Sequence, residues 1–293
     1  MAGDLVSRPG TPAVLTALSS GTPFAAECVI MAARDGTRAG FTTLDEPVYI
    51  DLSLGAGTDT CDADMVLSAL TLSEGLDASF FEMQGPLGPV LTGPEVDGGK
   101  WNDADAWLVA VSPGIAGFVP LMSGKVREAR SEDLRFVLEI RNQGDLLNQD
   151  LGKVLTPYCD ADLGDARCGY ALVPVAATVT AVTDAMRFSI GYSGTFADDH
   201  FNLGKIEFTG GVLDGVVAKN LFDFTSGGVG AGAVVLWEPL PALPQVGDPL
   251  EIAIGCAKTR SACRAFHGDT RPFRGFPDQP GTEQLLQYPD GTA

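Results

Sequence analysis

The sequence predicts a mainly β protein with a few short helices, divided into an N-terminal β-rich module over residues 1–155 and a C-terminal β-barrel or sandwich domain over 156–293. Three observations predict this. Short apolar runs follow one another from Ala171 to Ile254, separated by turn residues about every 8 to 12 positions, as in barrels and sandwiches. Thirty-six glycines and nineteen prolines break the chain too often for long helices. At 293 residues with 45% hydrophobic content, the chain is long enough for about two domains and apolar enough to pack them.

Taken in order, TPAVLTALSS (residues 11–20) opens with Thr-Pro and sets Val14, Leu15 and Leu18 on one helical face, which predicts a short helix. Asp35-Gly36 stands between two β-prone runs and predicts a hairpin, with Cys28 a small buried apolar residue of its first strand. Residues 51–65 read as a polar loop carrying Cys61; their acids fail the spacing of a calcium-binding EF-hand. Strands follow through AWLVAVSPG, GFVPLMSGKVREAR and LRFVLEIR. RNQGDLLNQDLGKVL places Leu146, Leu147, Leu151, Val154 and Leu155 at helical spacing, which predicts a helix leading to Cys159.

The chemistry-bearing residues lie beyond that point. Cys159 and Cys168 have eight residues between them, and Cys256 and Cys263 have six. Four thiolates from two short loops suit zinc or an iron–sulfur cluster rather than calcium or magnesium. Structural zinc sites usually space their pairs by two to four residues. The longer gaps here suit a wider object such as a cubane. Within the first loop, Gly164 relaxes the backbone and the amides between the thiolates become available to cluster sulfurs. After Cys263, FHGDTRPFRGFPDQPG is too proline-rich for regular helix. It reads as an ordered wrap in which Phe266, Phe273 and Phe276 shield the centre and Arg271 or Arg274 offsets negative charge.

CDADLGDARCG, GCAKTRSAC and FRGFPDQPG together resemble the hub proteins of long-tailed phages and of gene transfer agents, with GFTTLDEPVYI a looser match. The two cysteine gaps are also similar to those of the lambda tail-tip protein L, although 87 residues separate the pairs here. The resemblance implies a structural, non-enzymatic baseplate hub whose C-terminal domain holds a 4Fe-4S cluster on Cys159, Cys168, Cys256 and Cys263, with zinc the lesser choice. It further implies a homotrimer joining the hexameric distal tail protein ring to a large central tip or fibre protein. A tail-associated cell-wall peptidase is a further implied neighbour. DNA would pass through the lumen without specific binding.

Composition fits that expectation. A net charge of −19 argues against a nucleic-acid-binding surface, which needs clustered Lys and Arg, whereas an acidic channel wall repels passing DNA. Six cysteines are too sparse for a disulfide scaffold. No secretory signal and no apolar run of about 20 residues is evident, so synthesis in the bacterial cytoplasm without stable membrane insertion is expected.

Other site chemistries are poorly supported. Asp160 opens a run of acids, but the twelfth position of an EF-hand count is Ala171, which cannot ligate. His200 beside Asp198 and Asp199 reads as a solvated loop, and His267 is a substitute ligand for a Cys3His zinc site. GYSG around Ser193 lacks the second glycine of a nucleophile elbow, and GGVGAG precedes a strand rather than a helix, unlike a dinucleotide loop. The alternative reading is an iron–sulfur or zinc protein with redox or nucleic-acid-processing activity.

Overall fold

The computed structural model describes residues 26–52, 59–71, 79–112, 115–148 and 152–279. The helix expected over residues 11–20 lies outside them. The chain forms two compact units, Met1–Asp150 with Val212–Val217, and Leu151–Gly211 with Ala218–Ala293.

The first unit is built on a sheet whose central strands are apolar on both faces. β1 (Ala26–Ala32) and β2 (Arg38–Thr42) form the hairpin expected at Asp35-Gly36. The Asp35 carboxylate accepts the Thr37 amide at 2.8 Å, and Gly36 takes a positive φ of 88° that a side chain would resist. β3 (Val48–Ile50) and β4 (Asp59–Cys61) pair as a separate ribbon. β5 (Val66–Leu67), β6 (Phe80–Pro86), β7 (Asp105–Ser112), β8 (Ile115–Glu132) and β9 (Arg135–Asn142) complete an antiparallel seven-stranded sheet in the order β2-β1-β7-β8-β9-β6-β5. Successive residues of β1 point to opposite faces and both faces are covered. Val29 and Met31 join a core with Phe81, Trp101, Phe136 and Leu138, while Cys28 and Ile30 join another with Leu52, Cys61 and Trp107. Cys61 is therefore a buried strand residue rather than part of a polar loop. A one-turn helix, α1 (Gly93–Asp97), carries Pro94 in its first turn and is capped at its start by Glu95, which accepts the Thr92 amide at 3.1 Å.

Among the described residues of RNQGDLLNQDLGKVL the expected helix does not form. A short 3-10 turn covers Gln143–Asn148, and residues 152–158 have no regular structure. Asp145 is held by Arg127 at 2.7 Å and Arg141 at 3.2 Å, which fixes the turn locally. The described members of the apolar stripe lie open to solvent: Leu147 is 73% exposed, Val154 82% and Leu155 48%. Helical spacing without a surface to bury against does not stabilise a helix.

The second unit is a closed six-stranded antiparallel barrel. Its strands are β10 (Val175–Val182), β11 (Arg187–Tyr192), β12 (Lys205–Phe208), β13 (Lys219–Ser226), β14 (Ala231–Leu236) and β15 (Pro249–Ala253), in the order β10-β11-β14-β13-β12-β15. Alternate residues such as Phe188 and Ile190, Ile206 and Phe208, and Leu250 and Ile252 fill the interior. Closure is made by β15 returning to β10, with Val175 opposite Ile252. The chain entering β10 and the chain leaving β15 therefore emerge side by side. A two-turn helix, α2 (Arg260–His267), follows β15. Among the described residues, no helix is long and apolar enough to cross a membrane.

Candidate functional site

The closure of the barrel brings the cysteine pairs together. Cys159 and Cys168 precede β10, Cys256 and Cys263 follow β15, and all four line one cavity with Ala161, Leu163, Thr259, Phe266, His267 and Pro272. The 87 residues between the pairs are spent on a barrel whose first and last strands are neighbours, so the long separation in sequence becomes a short one in space.

Each sulfur is positioned by local backbone chemistry. In the first loop the Asp165 carboxylate accepts the amides of Cys168 at 2.6 Å and Asp162 at 3.1 Å, and Gly164 turns the chain with φ 89°. The loop amides expected to face sulfur are thus partly spent on Asp165. The amides that reach sulfur come from elsewhere: Lys258 donates to Cys256 Sγ and Arg274 to Cys159 Sγ, each at 3.4 Å. Cys263 sits on α2, not in a loop, and is buried on its inner face. Thr259 caps that helix by accepting the Ala262 amide at 3.2 Å, and Gly268 ends it in the left-handed conformation. His267, one turn beyond Cys263, places Nε2 3.5 Å from Cys168 Sγ, with Tyr170 packed edge-on against it.

The acids around the first loop are engaged by cations. Lys153 and Arg167 hold Asp160, Arg167 holds Asp165, and Lys258 and Lys205 hold Asp162. The hydrogen bonds from Lys258 and Lys205 bring Asp162 down to about 2. A calcium site has no carboxylates left over in this loop. Burial pushes the Cys263 thiol up, and the neighbouring sulfurs of Cys159, Cys168 and Cys256 push it further because thiolate charges repel. A cation placed in the cavity reverses that repulsion and favours the deprotonated form.

Among the described residues, no group of three or more His, Cys, Asp or Glu side chains is placed to hold a metal ion. The four thiols instead border one cavity. As a donor set they match what a multi-iron cluster takes: four soft sulfurs, backbone N–H groups aimed at two of them, and a largely apolar surround.

The shield differs in part from expectation. Phe266 and Pro272 line the cavity. Phe273 packs under Arg260, and Phe276 lies half-exposed beneath Lys153. Arg271 points to solvent and pairs with Asp269 at 2.6 Å, whereas Arg274 contributes its backbone. His200 stacks on Phe196 at 4.9 Å, and Asp198 and Asp199 accept from Ser226 and Asn202, so these three do not form a metal site. Cys28 and Cys61 lie together in the first unit's core, where the contact with Cys28 and burial push the Cys61 thiol up.

Sequence reasoning missed Lys258 and α2. The helix carried a readable signature, Thr259 at its start and Gly268 just past its end, with Arg264 and His267 in the last turn. Lys258 carried none, since its contacts with the first loop exist only once the loops have met.

The family described as "Baseplate hub protein, N-terminal attachment domain" matches residues 11–171, more than half of the chain. The chain belongs to the baseplate hub protein family. Its place is the baseplate of a phage-type tail. A second family, described as "Phage conserved hypothetical protein BR0599", matches residues 199–283 of this hub protein and so covers the second cysteine pair. No curated protein matches. Among solved structures, a chain described as "Virion of native gene transfer agent (GTA) particle" is similar with a TM-score of 0.77 and 24% identity over 97% of each chain. At that identity the likeness shows the fold.

Proposed function

We propose that this hub protein is a non-catalytic adaptor in the tail baseplate of a gene transfer agent or long-tailed phage, joining the hexameric distal tail ring to a trimeric central tip or fibre protein. Cys159, Cys168, Cys256 and Cys263 hold a 4Fe-4S cluster in its second unit. The observation that carries the cluster assignment is the meeting of both cysteine pairs at the seam of a closed barrel, around one cavity. A bound cluster ties the chain before β10 to the chain after β15, and metal-binding free energy then becomes folding free energy. The particle setting is supported by the hub family and by the full-length likeness to a chain of a gene transfer agent virion. A net charge of −19 suits a wall past which DNA slides without sticking.

Anaerobic purification with iron, sulfide and zinc analysis tests the cluster. The expected result is about four iron and four sulfide per chain, with an absorption shoulder near about 400 nm, lost when any one of the four cysteines becomes serine. One zinc per chain would instead favour the tetrahedral alternative. For the assembly, mass measurement of purified tails is expected to give about three copies per particle, in keeping with closed cyclic symmetry; six copies would overturn the trimer.

A further inference from the structure

We infer that Lys258 is a positioning residue that sets the spacing between the two cysteine pairs and assembles the four-thiol cavity before any metal arrives. The inference rests on the reading of the four thiols as one centre, but its test does not.

Lys258 lies two residues after Cys256 and makes contacts in both directions. Its amide donates to Cys256 Sγ at 3.4 Å, within its own segment. Its carbonyl accepts the Cys159 amide at 2.8 Å, which fixes the backbone of the first cysteine of the other pair. Its ammonium crosses to the first loop as well, donating to the Ala161 carbonyl and to the Asp162 carboxylate, the latter at 2.7 Å. Asp162 in turn accepts Lys205 of β12 at 3.1 Å, so the first loop is tied to the barrel wall through the same carboxylate.

The backbone at Lys258 shows what this arrangement costs. Its φ is +58°, a left-handed conformation that strains a lysine and that glycine adopts freely. If the side chain did nothing, glycine would be the better residue here. A lysine in a strained turn is explained by what its ammonium reaches: a backbone carbonyl and a carboxylate on the opposite loop, 97 and 96 residues away in sequence.

The test uses the full-length chain, metal-free and then reconstituted with ferrous iron and sulfide, in wild type, K258G, K258M and K258R. Hydrogen exchange is read at the Cys159 amide, with the Val179 amide in the barrel as reference. K258G keeps the left-handed turn and K258M keeps the apolar stem, yet both lose the ammonium. Each is expected to speed Cys159 exchange by about fivefold, the effect of losing one partly exposed charged hydrogen bond, while Val179 is unchanged. K258R should recover most of the protection by offering its guanidinium to Asp162. Cluster formation should slow in the same order. Unchanged Cys159 exchange in K258G, or a gain in protection from relieved strain, overturns the inference. So does equal loosening of Val179, which would mean a fold-wide role. If wild type takes up no iron or sulfide, the cluster assignment fails, and Cys159 exchange alone still decides the role of Lys258.

Discussion

At the scale of single residues, the clearest electrostatic device outside the cavity is Glu95 at the start of α1. Its carboxylate is largely buried and accepts Lys100 Nζ at 2.8 Å and the Thr92 amide at 3.1 Å, and the Lys100 side chain is only 10% exposed. Burial raises Glu95, but the Lys100 ammonium and the Thr92 group lower it by more, leaving it below the ordinary glutamate range. A lowered folded value means the stabilisation is complete above the unfolded value of about 4.3 and is lost as pH falls below it. Thermal unfolding of the first unit is therefore expected to lose stability between about pH 4 and 3 in wild type and to be flatter there in E95Q. K100M, which leaves Glu95 charged without its partner, is expected to cost about 2 kcal/mol at neutral pH. A K100M protein as stable as wild type would show that the pair contributes nothing. Thr92 and Glu95 stand three apart, a readable capping-box spacing, but nothing in the sequence marks Lys100 as buried or as the partner of Glu95.

At the scale of elements, α2 shows how much a short helix owes to its ends. Eight residues are too few for a helix to stand on propensity, so the Thr259 cap, the Gly268 stop and the packing of Cys263 and Phe266 must hold it. T259A is expected to cost about 1 kcal/mol, read as earlier unfolding of the second unit, while T259S is expected to be neutral. Gly255 presents a different constraint at the exit of β15: a Cβ there would lie 2.0 Å from the Leu203 backbone, so the chain passes too close for any side chain. The strands were legible because alternating burial writes itself into the apolar pattern, and the β1–β2 turn was legible because Asp35-Gly36 is a local chemical requirement. The stretch before Cys159 misled because its spacing matches a helix while Leu147, Val154 and Leu155 stay exposed; periodicity reports a capacity to be amphipathic, and only tertiary packing realises it.

At the scale of the whole molecule, the four cysteines were legible as two pairs, but their meeting was not derivable from spacing. It depends on β15 closing onto β10, a register property that resides in no short motif. This closure also determines what loss of the centre should do. The barrel is held by its own hydrogen-bond ladder and its filled interior, so it is expected to stay closed without a cluster. The segments before β10 and after β15 have little regular structure beyond α2, and they meet around the cavity they share. Replacing Cys256 with serine is therefore expected to raise hydrogen exchange in residues 156–170 and 256–279 while β10 to β15 and the first unit keep their protection, and to reduce tail assembly in the same preparations. If the barrel itself opened, the cluster would be a condition of the fold rather than a fastener on its surface. If neither the two segments nor tail assembly changed, the cavity would be a by-product of barrel closure, and the proposed mechanical role of the four thiols would be wrong.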